Sequence, residues 1–555
     1  MATYASRVER TAQSEQVARS AGVVSLGIAI SRITGLAREM VMAHKFGAGF
    51  SYDAFLLGFR IPNLSRDLFA EGALSSAFVP VFATALAKGG QRAAAQLANL
   101  VGTMTIVVVG ILCVLGILFA PHLVSLLAPG FATVPGKFDT AVRLTRIMFP
   151  FLLLVALSAQ VAGMLNSFGN FGIPALASTF FNVGSVAVGL LLGFWLGPFI
   201  GITPIEGMAY GVVAGGVLQL AWQIPRLRQF GFSFRLAWDS SHAGLRQIFG
   251  LMLPAMLANA AVQINMIVNT SFASRLADPL RGHDGPVSWL GYAMRFVQFP
   301  LGLFGVAFAS AILPSVARSA AERNFEEFRK TLSRSLGLVF LLTIPSSVAL
   351  ILLGRPIIGA VFQSGRFEVY DTSQTALALA YYSLGLLAYA SVKILNPAFY
   401  ALSDSRTPMY ASLLSIVVNV CLPLLLLKYF HFGLASLALT TSLAVMLESL
   451  VLFECLRRKL GGIEGRYLVD RFLRVTIASA VMALAILCIN NGMGGHLAVD
   501  RSTYFGQLAV SLPTGFLVFL IASRLVGLKE IGFATGLFIA PIRNKLITVH
   551  AKIRS

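Results

Sequence analysis

The chain has 555 residues, 57% of them hydrophobic and only 12% charged, a composition that excludes a soluble globular protein. Its net charge of +20 raises the question of a polyanionic partner. Most of its 43 Lys and Arg, however, lie in alternate loops between apolar segments, where the positive-inside rule places them in a polytopic membrane protein.

About fourteen apolar segments fit between Val17 and Val526, each near the ~20 residues a bilayer requires, with both termini expected in the cytoplasm. The polar N-terminus, residues 1–16, runs directly into a full-length span, so no cleaved signal peptide is expected. The first span, about 17–45, carries Arg32, Arg38 and Glu39. The second, about 51–87, carries Asp53, Arg60, Asn63, Arg66, Asp67 and Glu71 and is interrupted by Pro62, which removes a backbone hydrogen bond and kinks the helix.

A charge at mid-bilayer costs about 2.5–3.5 kcal/mol on insertion scales. This set is therefore expected to face a cavity, and its excess of arginine points to an anionic ligand, because the guanidinium fork binds phosphate bidentately at any relevant pH. Arg32 and Arg38 lie about 120° apart on a helix and so line a broad face. Arg32 and Glu39, and Asp53 and Arg60, are seven residues apart and share faces; neutralisation within the protein competes with ligand binding for these acids. Asp53 and Glu71 are alternatively carriers of a coupling proton or sodium ion.

The third span (about 96–119) ends at Pro121, the fourth (about 138–167) contains Pro150, the fifth follows Pro174 and the sixth covers about 206–224. Residues 17–228 thus form a six-span N-terminal lobe. Residues 229–243, rich in Arg and aromatics, form an amphipathic cytoplasmic connector suited to a helix or turn on the membrane surface. From residue 244 the pattern repeats: Pro62 pairs with Pro300, Pro121 with Pro356, Gly130-Phe131 with Gly365-Arg366 and Pro174 with Pro408, each about 235 residues on. An interval of six spans gives both halves the same orientation, related by an axis along the membrane normal, with a site expected between them.

The second lobe, 244–458, holds few intramembrane charges. Arg295 and Lys393 stand out, and Lys393 has the alternative of snorkelling to an interface. A basic connector (459–471), two further spans (within 472–526) and a basic tail (527–555) complete the chain. The fold class is thus all-α polytopic, with about fourteen transmembrane helices: two six-helix lobes about a pseudo-twofold, plus two C-terminal helices.

Cys113, Cys421, Cys455 and Cys488 sit in or beside apolar segments without ligand spacing, and read as packing residues. No GK[ST], HExxH or GxSxG occurs, which removes a P-loop ATPase and leaves an enzyme or a metal site without support. Phe46-Gly47-Ala48-Gly49 reads as a turn and Ala214-Gly215-Gly216 as close helix packing.

The runs SRITGLARE, Tyr52-Asp53-Ala54-Phe55, IPNLSRDLFAEGALSSAFVP and VSWLGYAMRFVQFPLGLFGVAFASAILP closely resemble the MurJ (MviN) family of lipid II flippases, in the MOP superfamily with the MATE exporters. The resemblance implies an inner-membrane protein that moves undecaprenyl-diphosphate-linked muropeptide to the outer leaflet for peptidoglycan synthesis. No cofactor is expected, and coupling is expected to membrane potential, which a headgroup of charge about −2 would exploit, or to a monovalent cation. The resemblance implies substrate-binding roles for Arg32, Arg38, Arg66, Arg295 and Asp53. Glu39, Arg60, Asn63, Glu71 and Lys393 form a second tier of cavity or coupling candidates. It also implies a lipid-tail groove in the last two spans. Cell-wall synthesis enzymes are expected as further partners. Met294 stands where the family would place an acid beside the arginine of the eighth span. A flippase for another polyprenyl-diphosphate oligosaccharide is the nearest alternative, and a cation-coupled multidrug exporter a more distant one.

Overall fold

The computed structural model describes residue 24 and residues 26–65, 75–239, 241–302, 315–430, 433–493 and 500–528. Their regular structure is helical apart from one isolated bridge between Asp278 and Gly282. The chain divides into two compact units, the first running to Ser288 and including residues 365–367, the second comprising the remainder.

The first unit contains α1 (26–46), α2 (Phe50–Ser65), α3 (Ser75–Leu118), α4 (Ala120–Leu127), α5 (Lys137–Met148), α6 (Phe151–Ser167), α7 (Gly172–Leu190), α8 (Pro204–Gln229) and α9 (Ala243–Arg275). α10 (Pro286–Pro300) begins in the first unit and continues into the second. There follow α11 (Phe325–Leu352), α12 (Gly354–Phe362), α13 (Val369–Leu384), α14 (Leu386–Ala401), α15 (Arg406–Phe430), α16 (Gly433–Lys459), α17 (Gly465–Gly492) and α18 (Arg501–Leu525).

Eight helical segments among the described residues are long and apolar enough to cross a membrane, and α13 with α14, bent by 43°, make a ninth if counted as one span. They coincide with the third to fifth and ninth to fourteenth expected spans. The other five expected spans fall on α1, α2, α8, α9 and α10, which are shorter, more polar or continue into residues outside the description.

Local chemistry sets the breaks. α3 joins the end of the second expected span to the third through Gly90, whose φ of 67° is left-handed. α8 starts in a capping box: the Thr203 side chain accepts from the Glu206 N–H, and the Thr203 N–H donates to the Glu206 carboxylate at 2.9 Å. α7 and α8 approach on small residues as expected, since a Cβ at Gly215 would lie 2.6 Å from the Phe181 carbonyl oxygen.

The first unit's core gathers Phe78, Phe82, Leu97 and Val101 of α3 with Phe232 and with Leu245 and Ile248 of α9. The helix expected to open the second lobe therefore packs with the first unit. After a turn at residues 230–231 the connector preceding it has no regular structure, and its backbone bonds to α3: the N–H groups of Arg235 and Ala237 donate to Asn99 Oδ1 and Thr103 Oγ1, both at 3.1 Å. Asn99 and Thr103 are one helical turn apart, which matches two residues of extended chain.

In the second unit, Leu341 of α11 and Leu353 pack against Val475, Met482 and Ile486 of α17 and Phe519 of α18. The two helices outside the repeat are thus built into this unit's core. A charge clasp joins α15 to α16. Asp404 receives Lys459 Nζ at 2.8 Å, the Thr407 hydroxyl at 2.8 Å, and the N–H groups of Arg406 and Thr407 at 3.1 Å. The Lys459 hydrogen bond, with those from Thr407, holds the Asp404 carboxyl well below the usual carboxylate range.

A lowered folded-state pKa stabilises the fold above the unfolded value and loses that contribution as pH falls through the folded one. Asp404→Ala is expected to destabilise the protein by about 1–2 kcal/mol at neutral pH through the lost cap and ion pair. In thermal denaturation in detergent, the gap between wild type and variant should hold from neutral pH to about pH 4 and close below it.

Candidate functional site

α2 starts with its strongest charge out of water. Asp53, in the first turn, and Lys137, at the start of α5, both have fully buried side chains and pair at 2.8 Å. Lys137 Nζ also donates to Asp284 Oδ1 at 2.7 Å and to the His283 carbonyl at 2.9 Å, so its three N–H bonds have three acceptors. The Phe131 ring lies 4.6 Å from the same nitrogen. Asp53 in turn accepts from the N–H groups of Gly285 and Ser288, each at 2.9 Å, and from the Ser288 hydroxyl.

The network closes over Asp53, expected among the substrate-binding residues, and leaves its carboxylate no exposed surface for a ligand in this arrangement. Its partner is Lys137 rather than Arg60, the residue seven positions along its own helix; Arg60 bonds instead to the Thr270 hydroxyl of α9. The second unit buries a different polar contact. Trp289 Nε1 donates to Asp371 Oδ1 at 3.0 Å, both side chains fully buried. Trp289 and Asp371 stand about 235 residues after Ala54 and Lys137.

Along α1, Arg32 is exposed and Arg38 partly buried. The Arg38 guanidinium lies 5.8 Å from the Phe59 ring centroid and 5.4 Å from that of Phe181, cation–π range for both, and pairs with Glu39 at 3.0 Å. Glu39 therefore pairs with its neighbour and with the Tyr52 hydroxyl at 2.5 Å, not with Arg32. α1 is held on α7 by Asn182, whose amide donates to the Ser31 carbonyl at 3.2 Å and to Thr34 Oγ1 at 3.3 Å. One turn along α2 from Arg60, Asn63 has a buried amide oxygen with no hydrogen-bond partner among the described residues. α1 and α2 thus present Arg38 held by aromatic rings and Glu39, Arg60 tied to Thr270, an exposed Arg32 and an amide oxygen of Asn63 without a partner among the described residues.

Arg66 and Glu71 lie outside the described residues. Arg295 of α10, beside a partly buried Met294, and Lys393 of α14 are both exposed and belong to the second unit.

Within the first unit the paired turn motifs of the repeat meet backbone. Gly130 donates its N–H to Ser274 Oγ at 3.3 Å, and a Cβ there would fall 1.9 Å from the Ser274 carbonyl oxygen. Gly365, at φ 59°, would place a Cβ 2.2 Å from the His44 carbonyl oxygen, which accepts from the Arg366 N–H at 3.0 Å. Only glycine fits either contact. Beside the second lies a cleft of about 290 Å³ lined by His44, Lys45, Phe46, Phe194, Pro204, Gly365 and Arg366.

Sequence reasoning missed Lys137, Asp284 and Ser288. The available signal was a lysine immediately after Gly136, at the mouth of an apolar span, together with an acid in the neighbouring span that needed a partner.

The family model and the curated relatives place the chain in one family. The profile described as "Lipid II flippase MurJ" matches residues 42–502. The lipid II flippase MurJ of Burkholderia cenocepacia is 35% identical over 439 residues, 78% of this chain and 82% of that protein. The probable lipid II flippase MurJ of Vibrio cholerae is 32% identical over 532 residues, 94% and 97% of the two chains. Among solved structures, a lipid II flippase MurJ in an inward closed conformation superposes with a TM-score of 0.72 at 24% identity, covering 94% of this chain and 99% of that one. An inward-facing MATE multidrug transporter of the MOP superfamily gives 0.63 at 17%, covering 78% and 94%. The last two likenesses establish the fold.

Removing one member of a buried ion pair leaves an uncompensated charge, typically at a cost of about 3–5 kcal/mol. Lys137→Met is expected to lower the thermal midpoint of the purified protein accordingly. The double variant Lys137→Met/Asp53→Asn should recover a large part of the loss, a coupling that thermal denaturation of the four proteins in the cycle measures directly.

Proposed function

Because the chain belongs to the MurJ family of lipid II flippases, multi-pass membrane proteins, we propose that it carries the lipid-linked peptidoglycan precursor to the outer leaflet by alternating access. The supporting observation is the set of guanidinium groups on membrane-depth helices: Arg38 fixed between Phe59 and Phe181, and Arg32 exposed one and a half turns before it. In this reading Arg32, Arg38, Arg66 and Arg295 bind the diphosphate. Arg60, Asn63 and Lys393 take sugar or further phosphate contacts, and Glu39 orients Arg38. Asp53 acts through Lys137 by fixing the start of α2. Glu71 remains a candidate for coupling.

The undecaprenyl tail stays in lipid along the last two spans. Both termini are cytoplasmic, in the cytoplasmic membrane of a bacterium, and the substrate crosses without chemical change or cofactor. In a cell negative inside, outward movement of a headgroup of charge about −2 gains roughly 4–5 kcal/mol per 100 mV, so membrane potential is a sufficient drive.

Charge-assisted hydrogen bonds contribute about 1.5–3 kcal/mol each, so Arg38→Ala and Arg32→Ala should each weaken lipid II binding by roughly ten- to a hundredfold. Arg38→Lys should restore only part of that affinity, because an ammonium lacks the planar fork. Native mass spectrometry with lipid II, undecaprenyl phosphate and a cationic dye in competition, followed by translocation in proteoliposomes, measures both. Equal binding of the dye or the bare carrier, unaffected by either variant, would remove the arginine site.

A further inference from the structure

The second unit buries an acid at membrane depth that the proposed transport site does not use. Glu448 lies near the middle of α16, about 22 Å along the helix from Gly433 and about 16 Å from Lys459, and is 8% exposed. Its Oε1 accepts from the Ser412 hydroxyl of α15 at 2.7 Å. Ser415, one turn along α15 and 3% exposed, lies near the same carboxyl. From α14 the phenols of Tyr389 and Tyr400 lie near enough to interact electrostatically with the carboxyl, and from α13 Tyr382 stands behind Tyr389.

No described Lys or Arg forms an ion pair with Glu448. The cations at the end of its own helix are engaged elsewhere, Arg457 and Arg458 with Glu454 at 2.7 Å and Lys459 with Asp404 at 2.8 Å. Lys393, on the same helix as the two tyrosines, is exposed.

An unpaired carboxylate out of water among hydroxyls and phenols bears a desolvation cost that hydroxyl hydrogen bonds offset only in part. Binding a proton removes that cost. The two serines suit the neutral acid: Ser412 donates to the carbonyl oxygen, and a hydroxyl such as that of Ser415 can accept from the acid O–H. We infer that Glu448 is a proton-binding site within the membrane, neutral in this arrangement and ionised only when α15 and α16 part far enough to admit water. The site stands on the second unit alone, whatever the substrate.

The test is infrared spectroscopy of the full-length protein at neutral pH. A protonated-carboxyl stretch is expected in the wild type and should be lost in Glu448→Gln. Ser412→Ala, which leaves the acid in place, should shift the same band by removing the bond to its carbonyl. Lys393→Met should leave it unchanged. Absence of the band in the wild type, its persistence in Glu448→Gln, or its appearance only in Lys393→Met would overturn the inference. The last result would show an ionised Glu448 partnered by Lys393.

Discussion

The start of α2 depends on one fully buried ammonium. Lys137 has an acceptor for each of its three N–H bonds, and those acceptors come from α2 and from the segment leading into α10. An ion pair without water is tolerable only when every remaining donor and acceptor is also satisfied. Asp53 meets that condition through the backbone of Gly285 and Ser288. Withdrawing Lys137 would leave Asp53 a buried charge with only hydrogen bonds from Gly285 and Ser288, so segments far apart in sequence are held in one register.

The guanidinium groups of α1 and α2 obey a weaker version of the same rule. Arg38 has two aromatic faces and Glu39, which hold its plane while leaving part of it accessible. Arg32, a turn and a half earlier, is exposed. A binding surface for a diphosphate needs both properties: a fork already oriented, and a charge that solvent or ligand can reach. Tyr52 and Glu39 connect the two clusters, because Tyr52 precedes Asp53 on α2 and bonds to the acid that neighbours Arg38.

Much of the architecture could be read from proline and glycine. The offset that pairs Gly130 with Gly365 marks two places where backbone meets backbone, at Ser274 and at His44, and there the side chain is excluded by contact. Gly215 was legible for the same reason. Charge was only half legible. Asp53 stood out as an acid in an apolar run, but its partners are 84, 232 and 235 residues away, and Lys137 resembles any other loop lysine until α5 is folded against α2. Periodicity paired Arg32 with Glu39 on one face, whereas the fold turns Glu39 towards Tyr52. Glu448 passed unnoticed because one acid barely changes the apolarity of a long span. The irregular path of the connector after α8 could not be read from its aromatic and basic content, which says nothing of the bonds its backbone makes to Asn99 and Thr103.

The saturation of Lys137 also has a kinetic side. An ammonium whose protons all end on protein oxygens, away from water, exchanges them only when its surroundings open. Each exchange event at this nitrogen therefore counts an opening of the junction between α2, α5 and the start of α10. The lysine is a native clock for that motion, with no added label to disturb it.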